Sequence, residues 1–147
     1  MISDSGIGPI ALGAPLADAL ALMPEGTARD TDYCEWLAWW NEGADAYDLF
    51  VTGAALTDDM PVSLVGTSAR NAPAASTGPR TAEGIGVGSS VDEVRAAYPD
   101  AVETAGSVDP SIVHLRAGRI FFTYRDDPVI TSVTVTSAEE PPYELCG

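Results

Sequence analysis

One stretch of the sequence occurs twice, and this repeat constrains the fold more than any other feature. Residues 9–25 read PIALGAPLADALALMPE, and 75 positions later residues 84–100 read GIGVGSSVDEVRAAYPD. Apolar, glycine and proline positions coincide in the two stretches, where Ile10, Gly13, Ala21 and Pro24 align with Ile85, Gly88, Ala96 and Pro99. Self-similarity at a fixed offset is typical of a duplicated structural unit. The sequence therefore predicts an architecture, although it identifies no reaction.

Each copy begins with a short extended run that ends at Gly13 or Gly88, and a helix is predicted to follow. In the first copy, apolar residues have the spacing of a buried helical stripe, namely Leu16, Ala19, Leu20 and Met23. In the second copy, Ser89 or Ser90 can cap a helix with Asp92 or Glu93 three residues later. Pro24 and Pro99 are predicted to end the two helices.

Three strand-like runs follow each helix, at 34–40, 47–52 and 62–67 and then at 112–116, 119–124 and 130–136. This order predicts an α+β fold, a tandem repeat of a helix plus an antiparallel unit of three to four strands, forming a curved sheet with helices on one face. We expect the first αβ repeat at 1–69, a linker rich in Pro, Ala and Ser at 70–80, and the second αβ repeat at 81–147. The two repeats should share one compact fold, because a lone unit of this size buries little of its own surface.

The alternation of side chains along these strands predicts which residues face the helices. The aliphatic residues predicted to face them are Leu49, Val51, Leu64, Val113, Leu115, Val133 and Val135, with Trp39 also inward. The opposite, open face should then carry five aromatic side chains, which are the candidate binding residues: Trp36, Trp40, Phe50, Phe122 and Tyr124. Aromatic residues dominate binding hot spots, although filling of the core is an alternative role for part of this group.

The chain is strongly acidic, with 22 acidic residues against 7 basic ones and a formal net charge of −15. Such a surface repels phosphate backbones, so nucleic acid is excluded as a partner. No run approaches the roughly 20 apolar residues of a membrane helix, so no membrane span is expected. We expect a monomer whose partner is a protein or a cell-wall glycan.

The two cysteines, Cys34 and Cys146, lack metal-type spacing and are predicted to form a disulfide that ties the C-terminus to the first repeat. Two buried free thiols are the alternative. A disulfide would place the protein outside the cytoplasm, secreted or anchored to the envelope. The first residues show no signal peptide, and we expect a native export segment to have been removed.

The openings GPIALGAPLADAL and TAEGIGVGSSVDEV resemble those of secreted proteins and lipoproteins of actinobacteria. The duplicated unit of a helix and an antiparallel sheet is similar to the scaffold of the β-lactamase inhibitor protein. That resemblance implies a concave sheet whose aromatic side chains bind a partner protein. Each repeat of the inhibitor carries its own disulfide, whereas this chain has two cysteines in all.

Residues that could carry out chemistry are few. His114 is the single histidine, no G-x-S-x-G stretch accompanies it, and a structural role is favoured. We expect no metal and no cofactor. The sequence therefore favours a non-enzymatic, extracytoplasmic protein- or ligand-binding module of the bacterial cell envelope. The alternatives are an envelope glycan hydrolase with paired carboxylates among Asp48, Asp58 and Asp59, and a purely structural lipoprotein domain.

Overall fold

The structure, a computed structural model, describes residues 1–30, 34–41, 47–54, 59–69, 73 and 76–145. Its first element is a small three-stranded antiparallel sheet made of β1 (Ile2–Ser3), β2 (Gly6–Ile7) and β3 (Ile10–Ala11). Helix α1 (Leu16–Leu22) follows, and helix α2 (Val91–Ala97) lies much later in the chain. The small sheet lies against the rest of the protein through three buried isoleucines, Ile2, Ile7 and Ile10.

The remaining strands form one eight-stranded antiparallel sheet with the order β4-β5-β6-β7-β11-β10-β9-β8. The strands are β4 (Ala28–Asp30), β5 (Cys34–Asn41), β6 (Asp48–Gly53), β7 (Val62–Ser68), β8 (Val102–Ala105), β9 (Val113–Ala117), β10 (Ile120–Tyr124) and β11 (Ser132–Thr136). β7 and β11 are neighbours at the centre, where Val65 pairs with Val135. Strands from before and after the predicted linker thus belong to the same sheet, and β4 and β8 form its two edges.

The predicted α+β tandem repeat is wrong. The described residues are mostly β, and each of the two helices found among them is only seven residues long. Helices of two turns cover little of an eight-stranded sheet, so they form no layer of their own. The three-stranded N-terminal sheet has no counterpart after residue 80 within the described residues, and β4 and β8 extend the sheet beyond the predicted runs.

Local features of the sequence were predicted correctly. Both helices occur where the apolar spacing puts them, with Leu16 and Ala19 buried in α1 and Val91 and Val94 buried in α2. The six strand-like runs match β5, β6, β7, β9, β10 and β11 to within a few residues. Gly13 and Gly88 have φ angles of 84° and 93°, which glycine adopts at little cost, so these residues make the turns before the helices.

Ser90 is the residue that caps α2. Its side-chain oxygen accepts a hydrogen bond from the Glu93 backbone N–H at 3.0 Å, and the Glu93 carboxylate accepts one from the Ser90 backbone N–H at 3.0 Å. Ser90→Ala should lower the free energy of unfolding by about 1 kcal/mol, because one backbone donor loses its partner. Urea denaturation would measure this. A loss equal to that of Ser137→Ala, at an exposed position outside any helix, would contradict the role of the cap.

The two faces of the large sheet have different surroundings. One face packs against both helices and forms the core, which contains Val51, Val65, Leu115, Phe122 and Val133 together with Leu16 and Val94 of the helices. The other face is called here the helix-free face. By register and alternation it carries Phe50, Leu64, Thr134, Phe121 and His114. Leu64, which was predicted to face the helices, is buried on the helix-free face.

Candidate functional site

A cavity of about 520 Å³ lies on the helix-free face. Its floor is formed by β6, β7, β9, β10 and β11, and its walls are the 106–109 segment and residues 140–145 of the C-terminal segment. Cavities of several hundred Å³ that combine apolar walls with a few polar groups are typical of small-molecule sites. The cavity is therefore the candidate functional site.

The C-terminal segment, residues 137–145, is called here the strap. Both the backbone N–H and the hydroxyl of Ser107 donate to the carboxylate of Glu140. Farther along, the indole N–H of Trp36 donates to the carbonyl oxygen of Leu145 at 3.0 Å. These contacts fasten the strap at two separate points, to the 106–109 segment and to β5.

The polar part of the floor is a row of side chains on four neighbouring strands. Register pairs Ser68 of β7 with Ser132 of β11, Ser132 with Thr123 of β10, and Thr123 with His114 of β9. Because paired residues of antiparallel strands point to the same face, these four side chains, called here the polar row, lie side by side. All four border the cavity.

The apolar part of the floor lies next to the polar row. Gly66 of β7 pairs with Phe50 of β6 on one side and with Thr134 of β11 on the other. The Phe50 ring lies over Gly66, since a Cβ atom built on Gly66 would be 2.3 Å from Phe50 Cζ. Leu64 lies two residues before Gly66 and borders the same cavity. The floor thus changes from apolar to polar along the strand direction.

His114 is buried, with only 5% of its surface exposed. Its Nδ1 lies 2.8 Å from the hydroxyl oxygen of Thr123, and its ring meets the Phe121 ring edge-on with centroids 6.0 Å apart. Burial lowers the pKa of His114 below its ordinary value, and the charge of Glu140 acts in the opposite direction. His114 is consequently neutral near pH 7 and offers one donor and one acceptor nitrogen.

Charged groups at the cavity already have protein partners. The Asp109 carboxylate accepts hydrogen bonds from the Ser111 backbone N–H at 3.0 Å and from its hydroxyl at 2.7 Å, and these bonds lower the pKa of Asp109. Arg125 lies 3.8 Å from the same carboxylate. With Glu140 bound by Ser107, the cavity is bordered by carboxylates that are hydrogen-bonded to the protein itself.

The structure separates the five aromatic residues predicted to share one face. Phe122 is fully buried in the core, with its ring centroid 5.3 Å from that of Tyr98. Trp40 and Tyr124 are half-buried and also pack against the core. Phe50 borders the cavity, and Trp36 contacts the strap through its indole N–H. Trp39, predicted to be inward, is 39% exposed.

Among the described residues, the acidic side chains considered for glycan hydrolysis are not placed together as a pair of carboxylates. Asp48 begins β6 and pairs with Ser68 at the end of β7, whereas Asp59 lies before the start of β7. Asp58 lies outside the described residues. Nor do the described residues hold any group of three or more His, Cys, Asp or Glu side chains that could bind a metal ion.

The predicted disulfide joins a described residue to one that is not described. Cys34 is buried and is not a free thiol. Cys146 lies outside the described residues, so the bridge stays a prediction. The hydrogen bond between Trp36 and Leu145 joins the residue before Cys146 to the strand that carries Cys34.

Sequence reasoning missed most of the cavity, although one signal for it was available. In β11, Ser132, Thr134 and Thr136 alternate with Val133 and Val135. The valines are fully buried in the core, so the hydroxyl residues must point to the helix-free face. His114 was interpreted as a structural residue. Its position in the polar row became visible only from the register of β9 and β10.

Comparison with protein-family models, with curated proteins and with solved structures finds no match to this chain. The resemblance to the β-lactamase inhibitor protein therefore stays a prediction. In the ranges that the structure describes, no helix has the length and apolar character needed to cross a membrane.

The lowered pKa of His114 predicts a loss of stability in acid. The unfolded chain binds a proton near pH 6.5, whereas the folded protein binds it only at a lower pH. The neutral His114 therefore contributes its full stability above about pH 6.5. This contribution falls as the pH drops from there towards the pKa of His114 in the folded protein. Urea denaturation across this range should show the loss in the natural chain and a smaller one in His114→Gln, which has no imidazole. Equal losses in both proteins would contradict the assignment to His114.

Proposed function

We propose that the protein is a non-enzymatic binding module of the bacterial cell envelope that holds an uncharged ligand in the cavity beneath the strap. The observation that carries this proposal is the cavity of about 520 Å³, whose floor has an apolar part beside a polar row. Apolar surface supplies affinity for a ligand, and a few placed polar groups fix its orientation. In this proposal the ligand binds in the cavity and not on the aromatic sheet face that was expected from the sequence.

The charges around the cavity support an uncharged ligand. An anionic ligand would meet two carboxylates, Asp109 and Glu140, against one cation, Arg125, on a protein with a net charge of −15. A cationic ligand would have to compete with Ser111, Arg125 and Ser107 for those carboxylates. A neutral ligand avoids both costs.

A location outside the cytoplasm fits the proposed disulfide. Disulfides persist in oxidising compartments, and the buried Cys34 is not a free thiol. A covalent link from residue 146 to β5 would hold the end of the strap beside the cavity. The envelope location remains part of the proposal.

The proposal can be tested with Nile red, an uncharged dye whose fluorescence rises in apolar sites. Ser132→Phe places a ring in the cavity, and Ser5→Phe adds the same ring at an exposed position outside it. We expect the natural chain and Ser5→Phe to bind the dye, and Ser132→Phe to bind it about tenfold more weakly, a change of 1.4 kcal/mol. Absence of dye binding by the natural chain, or equal binding by all three proteins, would contradict the proposal.

A further inference from the structure

The floor of the cavity contains hydroxyl groups that the protein itself does not use. Thr134 is only 5% exposed and borders the cavity, and Ser132 borders it two residues earlier on the same strand. Within the part of the chain that the structure describes, neither side-chain hydroxyl takes part in a hydrogen bond to protein. Neither hydroxyl is cut off from solvent, so both are available to a bound ligand, and a ligand that covered them without a hydrogen bond would lose free energy.

The remaining members of the polar row add both donors and acceptors. The Ser68 hydroxyl lies 3.4 Å from the Asp48 carboxylate and keeps free acceptor capacity, and Thr123 is bonded to His114. Neighbouring strands are about 4.8 Å apart, so the row presents polar groups at that repeat across the sheet. A ligand that matches it needs several hydroxyl-like groups at similar intervals.

An apolar surface accompanies this row of hydroxyl groups. The Phe50 ring is held over Gly66 beside Thr134, and Tyr143 of the strap borders the cavity while 54% of its surface stays exposed. A lipid chain would pack against the aromatic surface but would cover the hydroxyls of Ser132 and Thr134 without forming hydrogen bonds to them. Such a mismatch weakens binding. A sugar ring has an apolar C–H face together with a rim of hydroxyl groups, and it matches both parts of the floor.

On the basis of the proposed binding function, we infer that the ligand is an uncharged oligosaccharide. One sugar face rests on Phe50, and the ring hydroxyls form hydrogen bonds with Thr134 and with the polar row next to it. The exposed Tyr143 ring at the cavity gives a second sugar a surface on which to stack. The neutral imidazole of His114 provides a donor or an acceptor at the end of the row without placing a charge there.

The test uses the full chain labelled with nitrogen-15 and two neutral disaccharide probes, cellobiose and N,N′-diacetylchitobiose. Chemical-shift titration would measure binding of each probe, and Nile red would be measured in parallel. The key variant is Thr134→Val, which removes the hydroxyl and preserves the shape, with the exposed Thr77→Val as its matched control. We expect at least one probe to bind the natural chain and Thr77→Val alike, and Thr134→Val to bind that probe about fivefold to tenfold more weakly.

The outcomes separate this inference from the proposed function. If Nile red binds and neither disaccharide binds up to about 10 mM, the oligosaccharide inference is overturned and the binding function stands. If neither the dye nor a disaccharide binds, both are overturned. A disaccharide that binds the natural chain, Thr134→Val and Thr77→Val equally well would also overturn the inference, because the hydroxyl of Thr134 would then play no part.

Discussion

Phe122→Ala is expected to lower the free energy of unfolding by about 3 to 5 kcal/mol, which is a large part of the stability of a small domain. Phe122 has no exposed surface, lies in the core and packs against the Tyr98 ring at 5.3 Å between centroids. Removing the ring leaves a cavity between the sheet and the end of α2 that neighbouring side chains fill only in part. Urea denaturation monitored by circular dichroism would measure the loss.

A matched control for Phe122→Ala is Tyr143→Ala in the strap. Tyr143 is 54% exposed, so its removal should change the free energy of unfolding by no more than about 0.5 kcal/mol. A large loss in Phe122→Ala beside a small loss in Tyr143→Ala would place Phe122 in the core and not on the exposed binding face first predicted for it. If Phe122→Ala had the same free energy of unfolding as the natural chain, the Phe122 ring could not lie in the core.

Gly6→Ala is expected to cost about 3 kcal/mol or more. Gly6 has a φ angle of 149°, and a Cβ atom there would lie 2.0 Å from the carbonyl oxygen of Ile10. The backbone of β3 must move to admit the methyl group, which breaks the pairing of Gly6 with Ala11. Because Ile7 and Ile10 are core residues, the disturbance extends beyond the small sheet. Thermal unfolding would detect it.

Gly8→Ala is the control for this second prediction. Gly8 also has a positive φ angle, 55°, but a Cβ atom there meets nothing within 4 Å. Its cost should be limited to backbone strain, about 1 kcal/mol. If Gly6→Ala and Gly8→Ala unfolded at the same temperature, the close approach of β2 and β3 at Gly6 would be refuted.

The sequence was informative wherever structure depends on near neighbours. The apolar spacing around Leu16 and Val91 located both helices, and the Ser90 cap was one of the two serines considered. Most of the long strands could also be located, because runs of β-branched and aromatic residues favour extended backbone. β8 was missed, since Val102–Ala105 is a short and largely exposed edge strand with no apolar alternation.

Side-chain direction was harder to predict, because a shift of one residue reverses the face of every side chain in a strand. β10 contains Phe121 and Phe122 in succession, and both are fully buried on opposite faces of the sheet. β5 contains Trp39 and Trp40 in succession, of which Trp40 packs on the core. Adjacent aromatic residues fit either phase of the alternation, so the sequence did not distinguish the core from the helix-free face.

The candidate site could not be read from the sequence, because its parts are far apart along the chain. Ser68, Ser132 and His114 meet only through the pairing of β7 with β11 and of β10 with its two neighbours. The strap reaches the cavity through the contacts of Glu140 with Ser107 and of Leu145 with Trp36. No local pattern predicts such contacts, which depend on strand order.

The sequence by itself determined the acidic charge, the positions of two helices and six strands, and the glycine turns before the helices, since each follows from composition or from residues close in sequence. The tertiary structure decided that the strands join into one eight-stranded sheet, which face of it is the core, and that hydroxyl side chains border a cavity under the strap. Strand order and register arise from burial of apolar surface over the whole chain, and that balance is not encoded in any single segment.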